Sequence, residues 1–455
     1  MKVLVLVDGE HYPPVTRWGI QAARSMGHEV VGALFLGGTE KVSGAARPEF
    51  GVPTVAAGGE RMASLEAALV AFRPDGVLDL SDEPVLGYRE RMEMAAVALA
   101  RGVPYLGPDF RLDPPIWAAP LPVPTMAVIG TGKRSGKTAI AGEAARVARA
   151  AGLRPVVVAM GRGGPPAPQV AQAGSVTVET LLDLVRRGQH AASDYLEDAL
   201  FTGVPAVGAR RTGGGLAGAP FVTNVREAAE AAVELGAGLV ILEGSGSAVP
   251  PIPWDAGVLV APAQVPEEYV AGYLGPFRIL LSDLFVVTMA SGPNSGPEKL
   301  FALRSHVQRL NGDARFVVTD FQPVPLRDVR GRAVYFTTTA PKEVAARQVA
   351  RLESTFGCRV VGHSTHLADR SALQKDLGEA EGYEVLLTEL KAAAVDVAAE
   401  RATTRGAEVV FVDNRPVTLS GKPDLPALLK ETAERAVARH AERSGDRGAA
   451  GRAAR

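Results

Sequence analysis

The sequence predicts an α/β fold, with parallel sheets covered by helices on both faces and laid out as successive segments. Three observations predict it. Short Val/Ile/Leu runs alternate with Gly-rich turns and Ala-rich helical stretches along nearly the whole chain, and such unbroken apolar runs read as strands buried on both faces. The composition, 47% hydrophobic and 22% charged, is that of a chain that folds. At about 100–200 residues per domain, 455 residues make room for roughly two to four cores.

The first segment, residues 1–112, opens with strand Val3–Val7, a loop holding Pro13 and Pro14, and a helix to Met26. Strands Val30–Leu36, Gly76–Leu80 and Val103–Tyr105 follow, with helix Tyr88–Arg101 between the last two. Residues 113–124 carry five prolines in twelve positions. Proline fixes φ and lacks an N–H, so this stretch reads as a linker. The second segment, 125–297, takes strands Thr125–Ile129, Pro155–Met160, Gly238–Leu242 and Leu284–Met289, and the Gly/Pro/Ser cluster Ser291–Pro297 closes it, with a loop inside one domain as the alternative. The third, 298–443, repeats the rhythm at Arg315–Val318, Ala333–Thr337, Arg359–Gly362, Glu384–Leu387 and Glu408–Val412, then ends in helix Leu425–Arg443. The tail, 444–455, is rich in Gly, Arg and Ala, has nothing to bury, and is expected to be disordered.

Charge and cysteine content narrow the function classes. Forty-nine Lys+Arg against fifty Asp+Glu leave a net charge of −1, so no global field draws the chain to nucleic acid, and aromatics are sparse. Cys358 is the only cysteine, which excludes an internal disulfide or a Cys-rich metal site and fits a reducing compartment. No apolar run reaches the roughly 18–20 residues of a membrane span. The opening MKVLVLVDGEH turns acidic too early for a signal peptide. The expectation is a cytoplasmic protein without a nucleic-acid or membrane partner.

The strongest local signal is Gly130-Thr131-Gly132-Lys133-Arg134-Ser135-Gly136-Lys137-Thr138, set between a strand and an Ala-rich helix. Phosphate binding needs small residues here, because backbone N–H groups must wrap the phosphates and the helix N-terminus adds partial positive charge. Lys137 is expected on the β/γ-phosphates of ATP and the Thr138 hydroxyl on Mg²⁺. An ordinary Gly-rich turn would explain neither residue. Gly130 and Gly136 are separated by five residues where the simple motif has four, and Thr131 stands at its first glycine position. This longer spelling resembles dethiobiotin synthetase and its relatives.

A metal-side carboxylate is needed at a neighbouring strand end. The apolar run Leu239–Leu242 delivers Glu243 to Gly244-Ser245-Gly246-Ser247, and a surface-loop glutamate is the plain alternative. In Ser193-Asp-Tyr-Leu-Glu-Asp198, Asp194 and Asp198 lie four apart on one helical face. Asp194, at the helix start, is preferred as second metal acid, with a capping role as the alternative. Around this site gather Lys133, Arg134, Arg162 and the pair Arg210/Arg211. Arginines on glycine-rich strand ends suit bidentate recognition of phosphate or carboxylate, although solvated loop charge is their usual fate. Lys137, Arg162, Arg210 and Arg211 are therefore the expected catalytic cations, and the second substrate is expected to be strongly anionic.

These residues in this order resemble one family, cyclic 2,3-diphosphoglycerate synthetase. The resemblance spans nearly the whole chain and rests on Asp8-Gly-Glu-His-Tyr-Pro13, Gly130–Thr138, Ser193–Asp198, Leu242-Glu-Gly-Ser-Gly246 and the three-part layout. It implies a P-loop NTPase core of the dethiobiotin-synthetase-like type flanked by N- and C-terminal Rossmann-like α/β domains, and a homodimer. It also implies that ATP and Mg²⁺ are used to close 2,3-bisphosphoglycerate into an intramolecular phosphoanhydride with release of ADP and phosphate.

Other polar groups are less specific. Glu10 and His11 could line a ligand surface or shape their turn, and Asp79, Asp82 and Glu83 read as strand-end acids. His366, Arg370 and Lys391 offer a phosphate contact more readily than the pair His363 and His366, with Asp369 following, offers a zinc site, which lacks further ligands. Two alternatives stand beside the main reading. A carboxylate-activating ligase of the dethiobiotin synthetase type is typically shorter and single-domain. A switch ATPase like the partition and division-site proteins would carry a lysine at the place of Gly132. It could use Leu425, Leu428, Leu429 and Val437 with Arg435, Arg439 and Arg443 as a membrane stripe, though a packed terminal helix is favoured.

Overall fold

The computed structural model describes residues 1–42, 48–292 and 295–453. Residues 293–294 of the expected Ser291–Pro297 break and 454–455 of the tail lie outside the described residues.

The N-terminal segment forms a six-stranded sheet. Its order is Thr54–Ala56, Glu29–Phe35, Lys2–Val7, Gly76–Asp79, Tyr105–Leu106 and Arg111–Leu112, parallel except for the last pair. Val3 to Val7 are buried on both faces, as an unbroken apolar strand requires. Residues 113–124 contain no helix or strand.

The second and third segments share one sheet of thirteen strands. Its phosphate-loop half runs Val222–Thr223, Ala206–Thr212, Pro155–Gly161, Leu239–Glu243, Thr125–Gly130, Ala256–Pro262 and Leu284–Thr288. Arg315–Pro325 then pairs in parallel with Leu284–Thr288 and antiparallel with Glu408–Ser420, which carries the sheet on to Val385–Thr388, Ala333–Thr337 and Arg359–Ser364. Hydrogen bonding is thus continuous across the expected division at 297/298, which falls at the start of helix Pro297–Leu310.

Four strands of this sheet are not among the expected ones, Gln169–Ala171, Ala206–Thr212, Val222–Thr223 and Ala256–Pro262, and two of them bear on the site. Ala206–Thr212 contains Arg210 and Arg211 and reads as the mouth of a loop, but it pairs with Pro155–Gly161 over Ala206 to Arg210. Ala256–Pro262 is fully buried and lies beside the phosphate-loop strand. The terminal helix continues past Arg443 to Ala453, over most of the expected disordered tail. Its Leu425, Leu428 and Leu429 are buried. Arg435 and Arg439 bind Asp283 at 3.2 and 2.8 Å, and Arg443 pairs with Asp255. The stripe weighed for a membrane is therefore spent inside the fold, and among the described residues no helix is long and apolar enough to cross one.

The N-terminal segment docks through helix Tyr88–Ala100 onto Gly275–Leu280 and Pro297–Leu310. Buried Glu93 accepts Nη1 of Arg309 at 3.0 Å. Burial opposes its ionisation, but hydrogen bonds from His306 and Arg309 win and hold its carboxyl at about 2.

Candidate active site

The phosphate loop leaves the buried strand Thr125–Gly130 and ends at helix Lys137–Ala150. Lys137 folds back over it, donating to the Gly132 carbonyl at 2.9 Å and to Ser135 Oγ at 3.2 Å. Gly130 permits this arch, because a Cβ there would stand 2.7 Å from Ser135 Oγ and 2.9 Å from Lys137 Cδ. Thr288 Oγ1 donates to the Ser135 carbonyl at 2.7 Å, so the strand two places away fixes the loop's height. Burial pushes the Lys137 ammonium below its ordinary value, with Glu243 and Asp194 pulling the other way. Lys133 and Arg134 stand exposed at the loop tip.

Glu243 ends the neighbouring strand, in register beside Val128. Thr138 Oγ1 donates to its Oε1 at 2.7 Å. The other oxygen, Oε2, is buried and has no hydrogen-bond partner among the described residues, and the same holds for both carboxylate oxygens of Asp198. Burial raises the pKa of both groups, and the charge of Glu243 adds to the rise at Asp198. Asp194, at the head of helix Asp194–Thr202, is half-buried and acts on Glu243 and Asp198 by charge as well. The sequence favours Asp194 over Asp198; the structure sets both within charge reach of Glu243 and leaves the deeper one, Asp198, with unmatched oxygens. Buried carboxylates without donors cost several kcal/mol unless a cation sits among them (about 1–3 kcal/mol even for neutral polar groups). A hydroxyl and carboxylates form the all-oxygen donor set that Mg²⁺ takes. Among the described residues no three His, Cys, Asp or Glu side chains could hold a metal on their own, so substrate phosphate and water oxygens would complete the shell.

The cations divide. Successive residues of a strand point to opposite faces. Arg211 is therefore buried and donates through Nη2 to the Ser245 carbonyl at 2.7 Å, while Arg210 is exposed and donates through Nε to the Gly164 carbonyl at 2.9 Å. Arg211 Nε is buried with no partner. Arg162 comes across from the adjacent strand end: a Cβ on Gly246 would lie 2.6 Å from Arg162 Nη2 and 3.3 Å from Arg211 Nη2. Among the described residues neither arginine forms an ion pair with a carboxylate. Burial and the like charge of Arg162 lower the Arg211 pKa. Two guanidinium groups held together without an acid are built to receive an anion.

One contributor had no sequence signal. Arg278, isolated in a short helix and buried, gives Nη2 to the Ser247 carbonyl at 2.7 Å and to the Leu216 carbonyl at 3.3 Å. It ties the Glu243 loop to the glycine-rich hairpin that follows Arg211, and burial alone pushes its pKa down to about 10.

The remaining candidates scatter. Glu10 N and His11 Nδ1 bind Asp8 Oδ1 at 2.9 and 2.8 Å, and Asp82 N binds Asp8 Oδ2 at 2.6 Å, a self-contained turn. Asp79 is taken by Arg91 at 2.7 Å and Tyr105 at 2.8 Å. His366 is engaged by Asp376 at 2.8 Å, and Arg370 pairs with Asp396. Lys391 alone of the C-terminal set reaches the acid helix, with Nζ 3.6 Å from Glu197.

Three family models match the chain in succession: the N-terminal domain of cyclic 2,3-diphosphoglycerate synthetase over residues 2–113, its P-loop domain over 125–320 and its C-terminal domain over 325–415. A cyclic 2,3-diphosphoglycerate synthetase of Rubrobacter xylanophilus is 47% identical, covering 98% of this chain and 100% of its own. Those of Methanothermobacter thermautotrophicus and Methanothermus fervidus are 42% and 41% identical, covering 96% and 92% of this chain and 97% and 93% of their own. Among solved structures, LpxK from Aquifex aeolicus in complex with ATP superposes with a TM-score of 0.44 at 14% identity, covering 82% of this chain and 99% of that one, a likeness too loose to assign anything.

Proposed function

The chain belongs to the cyclic 2,3-diphosphoglycerate synthetase family, and from that premise we propose that it closes 2,3-bisphosphoglycerate into the cyclic phosphoanhydride at the expense of ATP, using the site built around Lys137, Glu243 and Arg211. The observation that carries the assignment of residues is the Arg162/Arg211 pair, two guanidinium groups without an acid partner at strand ends beside the phosphate loop.

The substrates set the electrostatic problem. A bisphosphoglycerate carries about four phosphate charges and one carboxylate at neutral pH, and ATP a similar load. Two like charges about 4 Å apart repel by about 4 kcal/mol at an effective dielectric near 20. Lys137 is placed to neutralise the β/γ-phosphates of ATP, with Lys133 and Arg134 at the loop tip. Arg162 and Arg211 are placed to hold a phosphate of the second substrate. Thr138, Glu243, Asp198 and Asp194 are the residues that would hold Mg²⁺, which when bound offsets the charge that develops on the transferring phosphoryl group.

With both anions held, an oxygen of one substrate phosphate attacks the γ-phosphorus and ADP leaves. The neighbouring phosphate then attacks the phosphorus just extended. The bond to the transferred phosphoryl group breaks, inorganic phosphate departs, and the P–O–P ring closes. The second step is intramolecular, so positioning favours it over hydrolysis. A phosphate oxygen is already anionic at pH 7, and no general base is required.

Phosphorus NMR of the purified protein with Mg-ATP and 2,3-bisphosphoglycerate tests this reading. Two coupled pyrophosphate-like resonances with matching ADP and phosphate are expected, and K137A should abolish them. ATP hydrolysis indifferent to bisphosphoglycerate would refute it.

A further inference from the structure

The C-terminal part of the sheet has the layout of a ligand-binding α/β domain in its own right. Its parallel strands lie in the order Arg359–Ser364, Ala333–Thr337, Val385–Thr388 and Glu408–Ser420, that is second, first, third, fourth. The first strand leads on to a neighbour on one side and the third to a neighbour on the other, and outside the carboxyl ends at such a reversal is where ligands of open α/β sheets bind. The residues after these two strands are Thr338-Thr339 and Glu389-Leu390-Lys391.

Glu389 is part of the frame. It is buried and accepts Thr338 Oγ1, Thr339 Oγ1 and Asn414 Nδ2, each at 2.9 Å, and Thr339 N at 3.1 Å. Lys391 is held by charge rather than by short hydrogen bonds. Its side chain is 37% exposed, and among the described residues the carboxylate within ion-pair distance is Glu197 at 3.6 Å, beyond the length of a charge-assisted hydrogen bond, with Glu389 and Asp194 adding charge from further off. The backbone that presents it is uncommon: Ala392 has φ of 49°, and the π-helical turn Ala394–Ala399 follows. Both are conformations that persist at functional positions.

These strand ends adjoin the reaction site. Asp413 lies just beyond the last parallel pair, Thr388 with Phe411, and binds Arg146 of the phosphate-loop helix at 3.0 Å. Glu197 stands on the helix of Asp194 and Asp198, and the charge of Asp194 is felt by both Lys137 and Lys391.

We propose that Lys391 is a substrate-binding cation of the reaction site: when the bisphosphorylated substrate enters, Lys391 leaves Glu197 for a phosphate oxygen, so the C-terminal segment supplies a contact that the phosphate-loop segment lacks. The inference rests on the reaction proposed above. A phosphate group carries more charge than a lone carboxylate and can approach at hydrogen-bond distance, which Glu197 does not.

The test uses full-length K391M, K391R and E197Q. Steady-state KM is measured for each substrate with cyclic product read by phosphorus NMR, alongside calorimetric affinity for a non-hydrolysable ATP analogue. K391M is expected to raise the KM for 2,3-bisphosphoglycerate about 10- to 100-fold and to leave analogue affinity within about twofold. K391R is expected to recover most of the loss. A bisphosphoglycerate KM in K391M within about twofold of wild type would overturn the proposal, as would a parallel loss of analogue affinity. So would an E197Q variant that reproduces the K391M defect, since that outcome makes the ion pair itself the working element. If wild type forms no cyclic product, the reaction reading fails by itself. Calorimetry of 2,3-bisphosphoglycerate with the analogue-loaded proteins then decides Lys391: weaker binding to K391M supports it, and equal binding overturns it.

Discussion

Replacing Gly246 by alanine probes the anion site without removing any charge. Gly246 has φ of 62°, where an L-residue costs about 1–2 kcal/mol. The added Cβ would stand 2.6 Å from Arg162 Nη2 and 3.3 Å from Arg211 Nη2. Arg211 is 8% exposed and anchored to the Ser245 carbonyl at 2.7 Å, so the exposed Arg162 must be the one to move. Its displacement removes one charge-assisted contact to a bound phosphate, worth about 1.5–3 kcal/mol, or roughly 10- to 150-fold in affinity at about 1.4 kcal/mol per tenfold. The expected result of G246A is a bisphosphoglycerate KM raised by that factor with little change in the KM for ATP, because the Lys137 and Thr138 contacts are untouched. G174A is the control. Gly174 also has a left-handed φ, 76°, but nothing lies within 4 Å of its Cβ position, so it carries the backbone strain without the collision. Steady-state kinetics and chemical denaturation on both variants separate the two effects. If G246A loses stability as G174A does but keeps its bisphosphoglycerate KM within about twofold, the guanidinium pair is not the anion site.

Further outcomes follow from the same geometry. Thr138→Val removes the hydroxyl that meets Glu243 at 2.7 Å; the free Mg²⁺ needed for half-maximal activity should rise at least about tenfold, with Thr138→Ser near wild type, and an unchanged Mg²⁺ titration would remove Thr138 from the metal side. Asp198→Asn takes charge pressure off a site with unmatched buried oxygens; denaturation in EDTA should show a gain of about 1–3 kcal/mol, and a loss would mean that Asp198 has a stabilising partner. Glu93 links two segments and titrates at about 2, below its ordinary 4.5. Its stabilisation is therefore complete above 4.5 and is lost as pH falls toward 2. After a discount for solvent screening this amounts to about 2–3 kcal/mol. Acid unfolding of Glu93→Gln should lack that part of the slope, and identical profiles would contradict the assignment.

Legibility in the sequence tracked how local each feature is. Gly130–Thr138 could be read directly because its chemistry is carried by consecutive backbone groups between one strand and one helix. Glu243 was legible for a similar reason, as the residue that ends an unbroken apolar strand. Spacing sets Asp194 and Asp198 on one helical face but does not say which is deeper; packing of that helix against Lys137–Ala150, Pro155–Gly161 and Ala206–Thr212 decides it. Strand Ala206–Thr212 escaped because Gly208 and two arginines interrupt its apolar run, and so Arg210 and Arg211 read as one loop pair. Once they lie in a strand, a period of two separates them.

The α/β class, the phosphate loop between its strand and helix, and Glu243 at the end of an apolar strand can be read from the chain alone, since each rests on neighbours along it. Tertiary structure alone decided what happens between distant residues. It joined the second and third segments into one sheet through Leu284–Thr288, Arg315–Pro325 and Glu408–Ser420. It also buried Arg278 against Ser247 and set Lys391 beside Glu197 across 194 positions of chain (391 − 197). The physical reason is that hydrogen bonding and burial patterns repeat over a few residues and leave a periodic trace. An ion pair between remote segments leaves none, because its geometry is fixed only when the strands that carry its partners have been ordered in the sheet.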